Sequence, residues 1–248
     1  MKTYKQGLVS ISFRDKTPLE ILIAMKKCNL NYIEWGSDVH APCNDKENLE
    51  NIKKLQDEFN IICSSYGTYF RLGVNDTKEL PDYINAAKNL GTDILRLWCG
   101  NKGSEEYTND EKNILFEECK KASRIAEKHN VKLCMECHNN TYTDTKEGAF
   151  ELMEYVNSPA FRMYWQPNQF KTFDENISYA KLLSLYTEHI HVFNWDGKNK
   201  YPLNNAIDTW KTYLSCFGED KTLLLEFMPD DKIESLKTEA DSLFKITE

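Results

Sequence analysis

Eight short apolar runs recur along the chain at intervals of roughly 25 to 40 residues, and the gaps between them carry apolar residues at helical spacing. The runs are GLVSISF (7–13), NYIEW (31–35), IICSSYG (61–67), DILRLWC (93–99), VKLCMECH (131–138), FRMYWQ (161–166), HIHVFNW (189–195) and TLLLEF (222–227). A strand, a helix and a second strand in that order form a right-handed parallel unit. Eight such units predict an α/β chain folded as a closed (β/α)8 TIM barrel rather than an open doubly wound sheet. The first helix opens at Thr17-Pro18-Leu19-Glu20, a capping box with proline in the first helical position. Further helices are expected near 45–59, 78–90, 109–129, 146–156, 174–187, 205–216 and 230–245. No low-complexity stretch or Pro/Gly linker divides the chain, so residues 1–248 read as a single domain. A G-x-G-x-x-G after the first strand and a G-x-x-x-x-G-K-[ST] anywhere are both missing from the sequence, which removes the usual nucleotide-binding alternatives.

In such a barrel the active site forms at the C-terminal ends of the strands, so a polar residue that closes an apolar run is a functional candidate. The last four runs carry Glu136, Gln166, His191 and Glu226 where their apolar stretches stop. Side chains alternate along a strand, and the pattern lets these four face inward together. Two carboxylates, one imidazole and one amide oxygen make a mostly hard donor set, suited to Mn²⁺, Mg²⁺, Co²⁺ or Zn²⁺. His189 lies one layer deeper and reads as a hydrogen-bonded core histidine. His40 and His138 sit where loops begin and can either touch substrate or be solvated. Trp35, Tyr66, Tyr69, Phe70, Trp98 and Trp195 gather near the same strand ends, where aromatic faces can stack on a sugar. Glu34 can supply a further carboxylate or be buried as a pair with Arg96. Arg71 and the amide-rich segment 138–145 can bind hydroxyls or an anion.

Composition narrows the function classes. The chain has 31 Lys+Arg against 39 Asp+Glu, a net charge of −8 that opposes a polyanion, so a small-molecule substrate is expected and nucleic acid is not. No run approaches the roughly 18 apolar residues of a membrane span, and the N-terminal residues 1–13 are too polar for a signal peptide. The expectation is a soluble cytoplasmic protein without a membrane partner. The 8 cysteines are irregularly spaced within apolar runs and read as buried free thiols; Cys134 and Cys137 of the one C-x-x-C point to opposite faces of a strand. A homo-oligomer formed through helices or loops is compatible with the pattern.

The segments IEWGSDVHAP (33–42), SYGTYFRLG (65–73), LRLWCG (95–100), MECHNNTYTDT (135–145), YWQPN (164–168), HIHVFNWD (189–196) and LLEFMPDD (224–231) cover nearly the whole chain. In them the sequence resembles the xylose isomerase-like TIM-barrel superfamily, specifically its sugar isomerase and epimerase branch. The resemblance implies metal ligands at Glu136, Gln166, His191 and Glu226, with Gln166 standing where the epimerases carry Asp. It implies that Glu136 and Glu226 act as acid and base on a ketose, moving a proton at carbon through an enediolate. His189 matches the first histidine of the family's H-x-H, which places it near substrate oxygens along with His138. The expected activity is a divalent-metal-dependent isomerase or epimerase of a small ketose or keto-polyol. The alternatives are a lyase or dehydratase on a related polyol and a metal-free sugar-binding barrel. An endonuclease of the same superfamily is disfavoured by 5 histidines and the negative charge.

Overall fold

The computed structural model describes residues 4–218 and 221–248; residues 1–3 of the N-terminal segment and residues 219–220 lie outside it. Among the described residues, eight parallel strands close a barrel: β1 (Lys5–Val9), β2 (Tyr32–Gly36), β3 (Ile62–Leu72), β4 (Ile94–Cys99), β5 (Lys132–Glu136), β6 (Phe161–Trp165), β7 (Thr187–Val192) and β10 (Thr222–Leu225). A small antiparallel ribbon of β8 (Trp195–Asp196) and β9 (Asn199–Lys200) sits between the last two. β1 pairs with both β2 and β10, which closes the ring. Around it run α1 (Pro18–Lys27), α2 (Lys46–Phe59), α3 (Leu80–Leu90), α4 (Asn109–His129), α5 (Lys146–Val156), α6 (Phe173–Leu183), α7 (Ile207–Leu214) and α8 (Leu236–Thr247). This is the (β/α)8 barrel that the repeating pattern predicts. The capping box at α1 is formed: the Glu20 amide donates to Thr17 Oγ1 at 3.3 Å, and the Thr17 amide to Glu20 Oε2 at 2.8 Å.

Strand alternation creates two cores. Outward-facing Leu8, Ile33, Trp35, Tyr66, Leu97, Met135, Trp165, Ile190 and Leu225 are buried against the helices in one large cluster. Inward-facing Val9, Ile94, Cys134, Tyr164 and Leu224 form a separate apolar cluster inside the barrel. Toward the C-terminal strand ends the interior changes character. Glu34, Ser65, Arg96, Glu136 and His191 are all buried there. Charges that deep persist only when they are paired and hydrogen-bonded.

Three strand boundaries depart from expectation, and each departure shapes the mouth of the barrel. β1 stops at Val9, and Ser10–Phe13 turn into a short 3-10 helix. The serines explain it, because their hydroxyls bond backbone elsewhere rather than extend a ladder. Ser10 Oγ accepts from the Gly36 amide at 2.9 Å, and Ser12 Oγ from the Phe227 amide at 2.8 Å. β3 continues past Gly67 to Leu72 through a register shift against β4, and so carries Tyr69 and Arg71 toward the site. β7 ends at Val192, leaving Trp195 on the ribbon that turns at Gly197, whose φ is +56°. No helix among the described residues is long and apolar enough to cross a membrane.

At the opposite end of the barrel, Glu188 accepts from Lys132 Nζ at 3.0 Å and Arg162 Nε at 2.9 Å. Burial opposes its ionisation, but Lys132 and Arg162 outweigh burial and hold its pKa below the ordinary 4.5. A carboxylate with a depressed folded pKa contributes stability that is complete above its unfolded pKa and is lost as pH falls through the folded one. Urea unfolding of Glu188→Gln should therefore show a stability deficit against wild type that is full above the ordinary carboxylate pKa and shrinks as the pH is lowered through the depressed folded one. A deficit that stayed constant with pH would assign Glu188 a packing role alone.

Candidate metal and substrate site

A chain of buried charges crosses the barrel from β2 to β7. Arg96, 2% exposed, donates from Nε to Glu34 Oε1 at 2.8 Å and from Nη1 to Glu136 Oε2 at 2.5 Å. Glu34 also accepts from Ser65 Oγ at 2.9 Å, and Glu136 Oε2 accepts a second hydrogen bond from Trp98 Nε1. Gly67 makes room for this arrangement. A Cβ at that position would lie 2.4 Å from Glu34 Oε1 and 2.8 Å from Arg96 Nη2.

His191 connects the pair to the strand-end ligands. Its Nε2 stands 3.5 Å from Glu34 Oε1, while its Nδ1 faces Gln166 Oε1 at 3.0 Å, Glu226 Oε2 at 3.5 Å and Glu136 Oε1 at 3.6 Å. Ligand atoms of Glu136, His191 and Glu226 all lie within 4.8 Å of one another. Burial lowers the His191 pKa, but Glu226, Glu34 and Glu136 overcome it and push it up to about 10. Burial likewise opposes the Glu136 charge, yet Arg96 and His191 hold that carboxyl down at about 2. Glu226 moves the other way, raised by burial and by repulsion from Glu136. These groups fit a divalent cation. Two carboxylate oxygens and an amide oxygen ring one imidazole nitrogen, and the other side of that imidazole faces a carboxylate, the arrangement that orients a metal-bound histidine. Ligation would take the Nδ1 proton from His191.

Above these groups opens a cavity of about 360 Å³. Its floor includes Arg96, Glu136, Gln166 and Glu226; its walls are Trp98, His138, Phe193, Trp195 and Phe227, and its rim carries Arg14, Tyr69, Asn139, Asn140, Asn168, Gln169 and Phe170. The walls are joined ring to ring. Tyr69 meets Trp98 edge-on at 5.1 Å, His138 lies 5.0 Å from Trp98, and Trp195 lies 4.9 Å from Phe193 and 5.4 Å from Phe227. Phe227 holds a φ of +53°, a strained conformation for an aromatic residue directly after Glu226.

Of the residues named from sequence, the structure brings Glu136, Gln166, His191 and Glu226 together and sets Trp98, His138 and Trp195 on the cavity wall. Arg71 stands behind the wall, its guanidinium carbon 4.3 Å from the Trp98 ring centre and its Nη1 donating to the Gly100 carbonyl at 2.9 Å. Glu34 lies beneath the floor, paired with Arg96. His189 sits deeper, with Nε2 3.0 Å from the Ser64 carbonyl.

Trp35, Tyr66 and His40 are corrections: none of them reaches the cavity. Trp35 Nε1 donates to Gln56 Oε1 on α2 at 2.7 Å, Tyr66 donates its hydroxyl to the Ala41 carbonyl at 2.6 Å, and His40 bonds Ser10 Oγ and the Lys16 carbonyl. Alternation is the reason: if Glu34 and Ser65 point inward, their neighbours Trp35 and Tyr66 must face the helices. Sequence reasoning missed Arg14, Asn168, Gln169, Phe170, Phe193 and Phe227 as cavity residues, and gave Arg96 only as a partner for Glu34. For Asn168 the amide in YWQPN was a usable signal; Arg14 follows the first strand with no spacing that marks it.

These placements separate two tryptophans. Trp35→Ala should lower the free energy of unfolding by about 3–5 kcal/mol through the cavity it leaves. Trp98→Ala, at the cavity wall, should cost clearly less while removing one of the two hydrogen bonds to Glu136 Oε2, the one from Arg96 Nη1 remaining. Denaturant titration of both variants checks the contrast, and equal losses would place Trp98 in the structural core.

Comparison with known proteins agrees with this fold. No curated protein sequence matches the chain. Among solved structures it is similar to a probable 3-DHS dehydratase, AsbF, involved in petrobactin synthesis in Bacillus anthracis, at 16% identity and a TM-score of 0.78, covering 98% of this chain and 99% of that one. It is similar to D-psicose 3-epimerase from Clostridium cellulolyticum H10 at 12% identity and a TM-score of 0.70, covering 100% and 98%. It is also similar to a xylose isomerase-like TIM barrel protein from Mycobacterium smegmatis in complex with magnesium, at 12% identity and a TM-score of 0.69, covering 99% and 96%. At such identities these neighbours speak for the fold. A family model, the xylose isomerase-like TIM barrel, matches residues 22–213. The chain therefore belongs to the xylose isomerase-like TIM-barrel family.

Proposed function

We propose that this protein is a divalent-metal-dependent isomerase or epimerase of a small ketose or keto-polyol, working through an enediolate. The observation that carries the reading is the convergence of Glu136, Gln166, His191 and Glu226 at four successive barrel strand ends, at and beneath the floor of a cavity walled by aromatic rings and rimmed by amides. Such walls suit a carbohydrate, with C–H faces against the rings and hydroxyls toward Asn139, Asn140, Asn168 and Gln169. A magnesium-bound relative and an epimerase among the structural neighbours are in keeping with it.

The four strand-end residues are the ones that would hold the cation. When bound, it supplies Lewis-acid polarisation of a substrate carbonyl. The protein's own groups do the rest. Glu226 lines the cavity and carries no hydrogen bond on its carboxylate among the described residues, which supports its taking the proton from the carbon beside the carbonyl. The electron pair of that C–H bond moves into the carbonyl and gives the enediolate. Glu136 serves as the second acid/base group, with one oxygen anchored by Arg96 and Trp98 and the other facing His191. Trp98, His138 and Trp195 confine the sugar over the floor and exclude water from the enediolate.

Two measurements test the proposal. Elemental analysis of protein purified without chelator and then supplied with Mn²⁺, Co²⁺ or Mg²⁺ should give near-stoichiometric metal, lost in Glu136→Ala. NMR of a panel of ketopentoses and ketohexoses in D₂O should show replacement of the hydrogen beside the carbonyl, slowed about 100-fold or more in Glu226→Gln. Undiminished exchange in Glu226→Gln would refute the two-carboxylate scheme. Absence of both metal and exchange would leave a sugar-binding barrel, and exchange accompanied by loss of water would make the chain a dehydratase.

A further inference from the structure

Arg96 is an unusual neighbour for a cation site. Its guanidinium forms part of the cavity floor and is hydrogen-bonded directly to Glu136, one of the carboxylates that would hold the dication. It is fixed there on every side. Glu34, 0% exposed, takes the Nε hydrogen bond, and β3 presents Gly67, where any Cβ would strike both partners. The strand-end set itself is short of charge, because Gln166 contributes a neutral oxygen.

We propose that Arg96 is a positioning residue that acts as a resident cation: by bridging Glu34 and Glu136 it leaves Glu136 one free oxygen for metal and holds divalent affinity low, so that the metal exchanges readily. This rests on the metal-dependent reading above. The physical argument has two parts. Oε2 of Glu136 already accepts from Arg96 Nη1 and Trp98 Nε1, so Glu136 meets a metal through Oε1 and as a weaker electron donor. A fixed positive charge one carboxylate away from a dication also repels it in a buried, weakly screened setting.

An ordinary outer partner of a metal ligand has the opposite effect: its loss weakens binding by about 10- to 100-fold. The two roles therefore predict opposite signs. Mn²⁺ titration calorimetry on the full chain, with thermal melting as a fold control, should show Arg96→Met binding Mn²⁺ about tenfold more tightly than wild type. Arg96→Lys, which keeps the charge, should stay near the wild-type affinity. The double variant Glu34→Gln/Arg96→Met removes both charges of the pair and should bind more tightly than wild type but less so than Arg96→Met. If Arg96→Met fails to fold, the double variant decides the matter by the same sign.

Folded Arg96→Met, or in its place the double variant, binding Mn²⁺ no more tightly than wild type overturns the proposal and leaves the metal reading standing, provided wild type binds. Mn²⁺ binding by none of the proteins overturns both.

Discussion

The organising interaction is the buried bridge in which one guanidinium holds two carboxylates, Glu34 and Glu136, inside the barrel. Isolated charges at that depth would cost several kcal/mol each, so every neighbouring choice answers to the bridge. Ser65 donates to Glu34, Trp98 donates to Glu136, and Gly67 gives up its side chain to let the ions meet. His191 continues the chain of charge from Glu34 to Glu226. The result is a polar layer seated on an apolar plug of Val9, Ile94, Cys134, Tyr164 and Leu224. The plug keeps water from below, and the layer keeps its geometry because each member is fixed by the next.

This layer also sorts the two carboxylates. Glu136 is embraced by donors and held low, whereas Glu226 has burial and a like charge against it and is raised. Unequal environments of this kind are how a single fold assigns different proton-handling parts to chemically identical side chains. The strain at Phe227 belongs to the same corner: the left-handed backbone after Glu226 is secured by the amide's hydrogen bond to Ser12 Oγ and by the ring's stacking on Trp195. Ends of the first and last barrel strands are thereby tied together at the cavity wall.

Much of the architecture was legible in the sequence. Eight apolar runs with helical gaps indicate parallel strands covered by helices, and eight such units fit a closed barrel. Strand parity then selects Glu136, His191 and Glu226, since those positions share the inward face. The same parity, carried through, excludes Trp35 and Tyr66 once Glu34 and Ser65 are placed inside. Their aromatic character, which suggested sugar stacking, serves the contact of strand with helix.

What the sequence determined by itself was therefore the set of periodic and local choices: the repeat, the alternation of faces, the capping box at Thr17, and the polar residues that close the last four apolar runs. Tertiary structure decided the rest, because it depends on residues far apart in the chain meeting across a closed ring. Arg96 bridging β2 and β5, the extension of β3 that brings Tyr69 to the cavity, and the serines of 10–13 turning aside to bind Gly36 and Phe227 have no local signature. Periodicity reports which way a side chain faces; only closure of the barrel determines which charge it meets there.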